Sequence, residues 1–245
     1  MTSAGWRPEP SEPRPAQRRK RRAVRRIARF VLRLAGALLL LWLVLILLYR
    51  VVEPPLTPLM LLRLPEAGRI ERHIVPLPAI ARALPEAVIA SEDNRFCSHH
   101  GVDWNAVSDA VEEYEGGRRL RGASTITMQA ARNLFLWPGG GFLRKGVEVA
   151  LAYAIDALWP KRRIMTVYLN MVEWGEGIYG AEAAAESYFH KHAAQLTRRE
   201  AALLASVLPN PRHWSPAAPS PYVAERATLI AERMGKLEGF YACLH

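Results

Sequence analysis

The sequence predicts a mainly α-helical domain carried behind a single N-terminal transmembrane helix, on three observations. Leu34 to Tyr49, LAGALLLLWLVLILLY, runs sixteen residues without a charge. Most of the chain that follows falls into segments with apolar residues at three- and four-residue spacing, bounded by capping residues and by Gly or Pro. No segment shows the apolar–polar alternation of a half-buried strand, and there is no internal repeat. At 245 residues and 50% hydrophobic content, the chain can fill one sizeable core.

The charge distribution fixes how the anchor is read. Residues 1–34 hold eleven Lys or Arg against Glu9 and Glu12, so the rest of the chain keeps only +1 of the net +10. The basicity belongs to a tail, and the domain has no net-charge argument for binding nucleic acid. Residues 1–29 read as a basic cytoplasmic tail and residues 30–52 as the transmembrane helix, with Arg33 and Arg50 able to reach the headgroups. RVVEPPLTP after the apolar run offers no small-residue cleavage site, so the segment is expected to stay as an anchor. RRKRRAVRR before it, with few positive charges just after, places the N-terminus in the cytoplasm and the domain outside it. The twin arginines also fit an export signal, less well for so hydrophobic a span.

Residues 53–76 read as a proline-punctuated linker able to lie along the membrane surface, and residues 77–245 as the domain. PLPAIARALPEAVIASED predicts short helices broken by Pro78 and Pro85. DWNAVSDAVEEYEGG predicts a helix started by Asp103 and stopped by Gly116 and Gly117. ASTITMQAARNLFLW predicts another, with Ser124 or Thr125 as N-cap, ended by WPGGGF. From Arg144 to Trp159 an apolar stripe of Val147, Leu151, Ala154 and Leu158 is closed by Pro160. Further helices are expected at RRIMTVYLNMVE, GAEAAAESYF, TRREAALLASVL and YVAERATLIAERMGKLEG, with a Pro-rich stretch from Pro209 to Pro221 before the last.

Few residues carry obvious chemistry. Cys97 and Cys243, the only cysteines, lie far apart in sequence with no zinc pattern near them, and no disulfide is expected. The adjacent His99 and His100 point to different sides of any regular element and make a poor ligand pair. Glu92, at the end of the apolar run AVIA, has two readings: a proton acceptor whose pKa burial raises, or, with Asp93, a helix cap or a partner of Arg95. Glu148 in RKGVE either pairs with Arg144 on a solvated helix face or joins Arg144 and Lys145 in a cleft that holds phosphates.

EDNRFCSHHGVD, GASTITMQAARN, RKGVEVAL, KRRIMTVYLNMVEWGEGIYGAEAAAESYF and EAALLASVLPNP resemble, in order and spacing, the five motifs of the peptidoglycan glycosyltransferases, glycosyltransferase family 51. NLFLWPGGG and YFHK look like the monofunctional biosynthetic transglycosylase branch. The resemblance covers roughly Leu77 to Pro211 and extends in layout to the anchor.

The resemblance implies a lysozyme-like helical domain that polymerises lipid II outside the cytoplasm of a bacterial inner membrane. It implies Glu92 as the base on the acceptor 4-hydroxyl, which attacks the donor C1 with inversion and displaces undecaprenyl pyrophosphate. It gives Arg132, Arg144 and Lys145 the leaving-group charge, and makes Glu148 a second catalytic acid that orients those cations or a divalent ion such as Mg or Mn; no other cofactor is implied. Ser124, Thr125 and Gln129 become cleft-lining, substrate-binding residues, with a capped, buried helix start as the alternative. Asn170, Glu173 and Gly180 look structural as much as functional, Phe96 is expected to pack behind Glu92, and His99 or His100 to fix a loop. The partners implied are lipid II, the growing lipid-linked glycan, the membrane, and cell-wall synthesis or division proteins, with no nucleic acid.

Met128–Gln129 stands where the family usually has two glutamines, and Arg132 where it usually has lysine, a change that keeps the charge. No SxxK, SxN or KTG set follows Pro211, so no transpeptidase domain is expected. Two other classes fit parts of the sequence: a lytic transglycosylase or muramidase-like enzyme, which would not need the cation set, and a non-enzymatic membrane-tethered module that binds lipid II or the cell wall. Phe135, Leu136, Trp137 and Phe142, around three glycines, suit either an apolar flap at the bilayer or the core.

Overall fold

The computed structural model describes residues 15–117 and 122–244, so the first fourteen residues of the basic tail lie outside the described residues. The chain divides into two units, Met1–Leu45 and Ile46–His245. The first consists, where described, of most of helix α1, Pro15–Tyr49. Within it Ala23–Tyr49 is 27 residues, long enough to cross a bilayer, and contains an 18-residue window of mean hydropathy 2.7.

The second unit is mainly helical, as its periodicity predicts. Its helices are α2 (Pro58–Ala67), α3 (Ala83–Glu92), α4 (Trp104–Glu115), α5 (Ile126–Phe135), α6 (Gly141–Leu158), α7 (Lys161–Met171), α8 (Ala181–Phe189), α9 (Arg198–Val207) and α10 (Pro221–Lys236). Side-chain caps start several of them: Asp103 accepts from Ala106 N, Ser220 from Val223 N, and Thr197 forms a reciprocal capping box with Glu200. Pro85 does not break its segment. It sits in the first turn of α3, where a missing N–H costs nothing.

Helices α3, α9 and α10 pack as one group, and α5 lies against both α6 and α7. Their alanine-rich faces allow close approach: Ala87, Ala90, Ala130, Ala131, Ala201 and Ala205 are all fully buried.

Among the described residues three very short strands complete the unit: β1 (Glu71–Arg72), β2 (Glu173–Gly175) and β3 (Ile178–Tyr179), in the order β1-β3-β2. β1 runs parallel to β3, with Glu71 opposite Ile178, while β2 pairs antiparallel to β3 through a bulge. Strands of two or three residues are too short to print an alternation, so periodicity carries no sign of them.

Residues 53–76, read as linker, carry α2 and β1. Thr57 caps α2, and Arg72 donates to the carbonyl oxygens of Asn170 (2.6 Å), Pro54 and Pro55 (both 2.7 Å). The end of α1 is also gripped within this unit. Trp159 Nε1 donates to Ile46 O at 2.8 Å, and Arg163 donates to Tyr49 O and Val52 O and pairs with Glu53. A guanidinium on the last carbonyls of a helix satisfies orphan acceptors and complements the negative end of its dipole.

The expectation that Cys97 and Cys243 stay apart is overturned. They form a disulfide, with Cα atoms 5.5 Å apart. The last segment, Glu238–Leu244, turns as a 3₁₀-helix against α7, and that return brings Cys243 to the loop after α3. Sequence separation says nothing about a contact made by a chain end folding back.

Candidate active site

Glu92 is the last residue of α3, and only 15% of its side chain is exposed. Its Oε2 accepts from Gln129 Nε2 at 2.9 Å, and Arg226 Nη2 stands 3.7 Å from Oε1. Gln129 is held in turn, because Tyr168 donates its hydroxyl to Gln129 Oε1 at 3.0 Å. Burial raises the Glu92 carboxyl above the usual carboxylate range, opposed by the Gln129 hydrogen bond and by Arg226 and Arg132, and reinforced by Asp93. Burial, with the Glu92 charge behind it, also holds the Tyr168 phenol well above its ordinary value, so that it stays a donor.

The loop after Glu92 is rigid for identifiable reasons. Asp93 is buried, accepts from the backbone N–H of Ile126 at 2.9 Å, and is bonded by His99 Nε2 at 2.9 Å and 3.0 Å. Arg95 pairs with Asp103 at 2.8 Å, so Asp93 caps α5 while Arg95 holds the start of α4. His99 fixes the loop; His100 is nearly fully exposed, 3.7 Å from Asp156. Phe96 is fully buried, with Lys161 Nζ 4.8 Å from its ring centre. Lys161 also donates to His99 O at 2.7 Å and to Asp156 at 2.6 Å. Gly101 turns the chain at φ +82°, and a Cβ there would lie 2.7 Å from Ala152 O, so the loop touches α6 where a side chain has no room.

One of the two readings of Glu148 is excluded. It is fully buried, so the solvated-face pair is wrong. The inward stripe of α6 is Glu148, Leu151, Ala152 and Ile155, rotated from the expected Val147, Leu151, Ala154 and Leu158, and that rotation carries an acid inside. Glu148 Oε2 is bonded by Arg144, and Oε1 by Lys145 Nζ at 2.7 Å; Lys145 also donates to Ser124 Oγ at 2.6 Å. A carboxylate without water is tolerable only with both oxygens satisfied by cations, as here. A Mg or Mn ion beside Glu148 does not fit this donor set, since ammonium and guanidinium groups already take both oxygens and a hard cation needs several free ones.

The segment 124–129 therefore touches both acids. Ser124 reaches Glu148 through Lys145, and Gln129 reaches Glu92 directly. Thr125 also serves the fold. It is buried, N-caps α5 by accepting from Met128 N at 3.1 Å, and donates to Gly101 O at 2.6 Å, so its one donor is spent within the domain. A cavity of about 530 Å³ is lined by Glu92, Asp93, Ser124, Thr125, Arg233 and Leu237. A second, of about 290 Å³, is lined by Gln129, Arg132 and Arg144 together with Arg63, Glu173 and Trp137. Among the described residues the Arg132 side chain has no hydrogen bond or salt bridge, which leaves a cation available at this second cavity.

Asn170 is structural. It is fully buried, bonds the backbone of Val75 on both sides, and donates to Thr166 O. Glu173 pairs with Arg63, and Gly180 turns at φ +87° with its N–H on Val172 O at 3.0 Å. Sequence reasoning missed Arg63, Lys161, Tyr168 and Arg226. Tyr168 lies inside a quoted motif without standing out from it; Arg226 is one charge on an amphipathic helix, and no local pattern marks it.

The candidate flap divides in two. Phe135 and Leu136 belong to the core, with Phe135 stacked 6.3 Å from Tyr49, whereas Trp137, Phe142 and Leu143 are exposed.

Comparison with known proteins gives the family. The family model described as Transglycosylase matches residues 61–235. A biosynthetic peptidoglycan transglycosylase of Rhodospirillum centenum is 56% identical over 199 residues, covering 80% of this chain and 86% of its own. Proteins of the same name from Caulobacter vibrioides (45% identical; 80% and 86% covered) and Pseudomonas fluorescens (47%; 78% and 82%) are similar over comparable lengths. With the family model spanning most of the domain and relatives at this identity along most of both chains, this chain belongs to the peptidoglycan transglycosylases, which are glycosyltransferases.

Proposed function

We propose that the enzyme polymerises lipid II into linear glycan, with Glu92 as the base and the cations around Glu148 on the pyrophosphate side. The observation that carries this is the setting of Glu92: a largely buried carboxyl at the lip of a cavity, raised by burial and oriented by Gln129. A carboxyl raised toward neutrality accepts a proton more effectively than one held low by ion pairs. In the reaction Glu92 takes the proton of the acceptor 4-hydroxyl, and that oxygen forms its bond to the donor C1 from the face opposite the leaving group. The C1–O bond to the lipid pyrophosphate breaks, with inversion.

Charge grows on the departing pyrophosphate. Arg132, without a salt-bridge partner among the described residues, and Arg144, at the same cavity, suit that charge, and Lys145, the residue after Arg144, is held by Glu148 and Ser124. A muramidase-like reaction has no anionic leaving group and leaves this cation set without a role. The helix Ala23–Tyr49 suits a single-pass anchor in the inner membrane, with the N-terminus cytoplasmic and the domain periplasmic, where lipid-linked donor and growing glycan would both be presented.

The test is incubation of the detergent-solubilised full chain with purified lipid II, products resolved by size, beside Glu92→Gln. Glycan ladders from the wild type alone support the reading. Ladders from both proteins refute Glu92 as base, and cleavage of preformed glycan without polymerisation refutes the reaction.

A further inference from the structure

Away from both cavities, α8 presents two glutamates one turn apart, Glu182 and Glu186, on the same face. Like charges at this spacing repel, and a basic side chain normally answers them. Here none does: among the described residues, the ion-pair partners of Glu182 and Glu186 are histidines only, and nearby Lys191 is engaged with Glu200 at 2.8 Å. The chain then reverses at His190, a non-glycine residue at φ +56°, and returns His192 over the same face.

His192 Nδ1 lies 2.6 Å from Glu182 Oε1 and 3.8 Å from Glu186 Oε1. One ligand atom from each of the three residues lies within 4.8 Å of the others. Ligand atoms around a tetrahedral zinc ion with bonds of about 2.05 Å stand about 3.3 Å apart, inside the range seen here. The groups are also oriented from behind. Glu182 Oε2 accepts from the backbone N–H of Ala193 at 2.8 Å, which turns Oε1 outward, and His73 Nδ1 lies 2.7 Å from Glu186 Oε2. Glu182 is buried and His192 exposed, so the set has a fixed floor and an open side.

We propose that Glu182, Glu186 and His192 form a binding site for a divalent transition cation of the zinc class, with His73 as the positioning residue behind Glu186. Mixed imidazole and carboxylate donors favour such an ion over calcium or magnesium, which take oxygen alone. This set differs from the one around Glu148 in a decisive way. The groups that now bond the carboxylates are imidazoles, which become ligands themselves on losing a proton, whereas lysine and arginine can only compete. A bound ion would tie α8 to the turn at residues 190–195. Ala193 O accepts from Ala81 N at 2.9 Å, just ahead of α3, so the tie reaches toward the helix that ends in Glu92.

The experiment uses the full chain in detergent, free of any histidine tag, equilibrated with zinc chloride at micromolar free metal. Bound zinc is counted by atomic emission and the melting temperature recorded. The expected result is one zinc per chain, a raised melting temperature, loss of both in Glu186→Gln combined with His192→Ala, and a 10–100-fold weaker affinity in His73→Ala. Excess magnesium should not displace the zinc. No bound zinc, zinc retained in full by the double variant, or displacement by magnesium would each overturn the site. Polymerisation of lipid II by the metal-free double variant should match that of the metal-free wild type, which keeps this result separate from the assignment of Glu92.

Discussion

Gln129 donates to Glu92 across 2.9 Å and is itself fixed by Tyr168, so the orientation of one acid depends on a residue of α5 and another of α7. The Gln129 hydrogen bond lowers a carboxyl that burial raises. Gln129→Leu should therefore move the acid limb of the pH–rate profile to higher pH, because Glu92 in its proposed role as base acts ionised and the variant holds its proton more tightly. An acid limb that stays in place or moves down would mean the bond does not tune Glu92.

Stability should respond in the opposite sense to activity. A carboxyl whose folded pKa lies above its unfolded one binds its proton more tightly when folded. Its contribution to stability is full below the unfolded pKa and is lost as pH rises through the folded one. Glu92→Gln is neutral at every pH and escapes that loss. Near neutral pH its melting temperature should exceed that of the wild type while polymerisation falls by about 10²–10⁴-fold, read from paired thermal melts and product ladders.

Arg144→Ala leaves one oxygen of a fully buried carboxylate without its cation. Loss of one partner from a buried pair costs about 3–5 kcal/mol, so denaturant midpoints should fall clearly. The same variant should lose polymerisation more steeply than its stability loss explains when assayed well below its melting temperature. Unchanged turnover under those conditions would remove Arg144 from the leaving-group side.

The disulfide closes a sequence separation of 146 residues. Constraining so long a loop in the unfolded chain stabilises by about 2–5 kcal/mol. Guanidinium titrations of the wild type with and without reductant, and of Cys243→Ser, should show that difference, with reductant having no effect on the variant.

Trp137, which lines the second cavity, and Phe142 are both exposed, and bilayer contact would give them a role. For a chain beginning at Ile46, replacing both with Ser should weaken liposome binding by tenfold or more, since each large side chain contributes about 1.5–3 kcal/mol when buried. Equal sedimentation with vesicles would show that they do not touch lipid.

How much of this is legible in the sequence depends on the range of the interaction concerned. Caps such as Asp103 and the stops at Gly116 and Gly117 act within a few residues, and α4 lies where they put it. Helix α6 lies where its pattern predicts, yet with a different face buried, because a stripe drawn from apolar residues alone passes over an inward carboxylate. Glu92 stands out by its position after AVIA and Gln129 by the motif it belongs to, but the bond between them spans α3 and α5, and Arg226, from α10, has no local mark. Contacts made by a returning chain leave no local trace, and the pairing of Cys97 with Cys243 is the plainest case.

Ser124 and Gln129 lie five residues apart, one serving Glu148 through Lys145 and the other serving Glu92. Each residue of helix advances the side chain by about 100° around the axis. A single insertion or deletion between them would swing Gln129 away from Glu92 while Ser124 stayed with Lys145, so the length of this short interval is fixed more strictly than the identity of most residues within it.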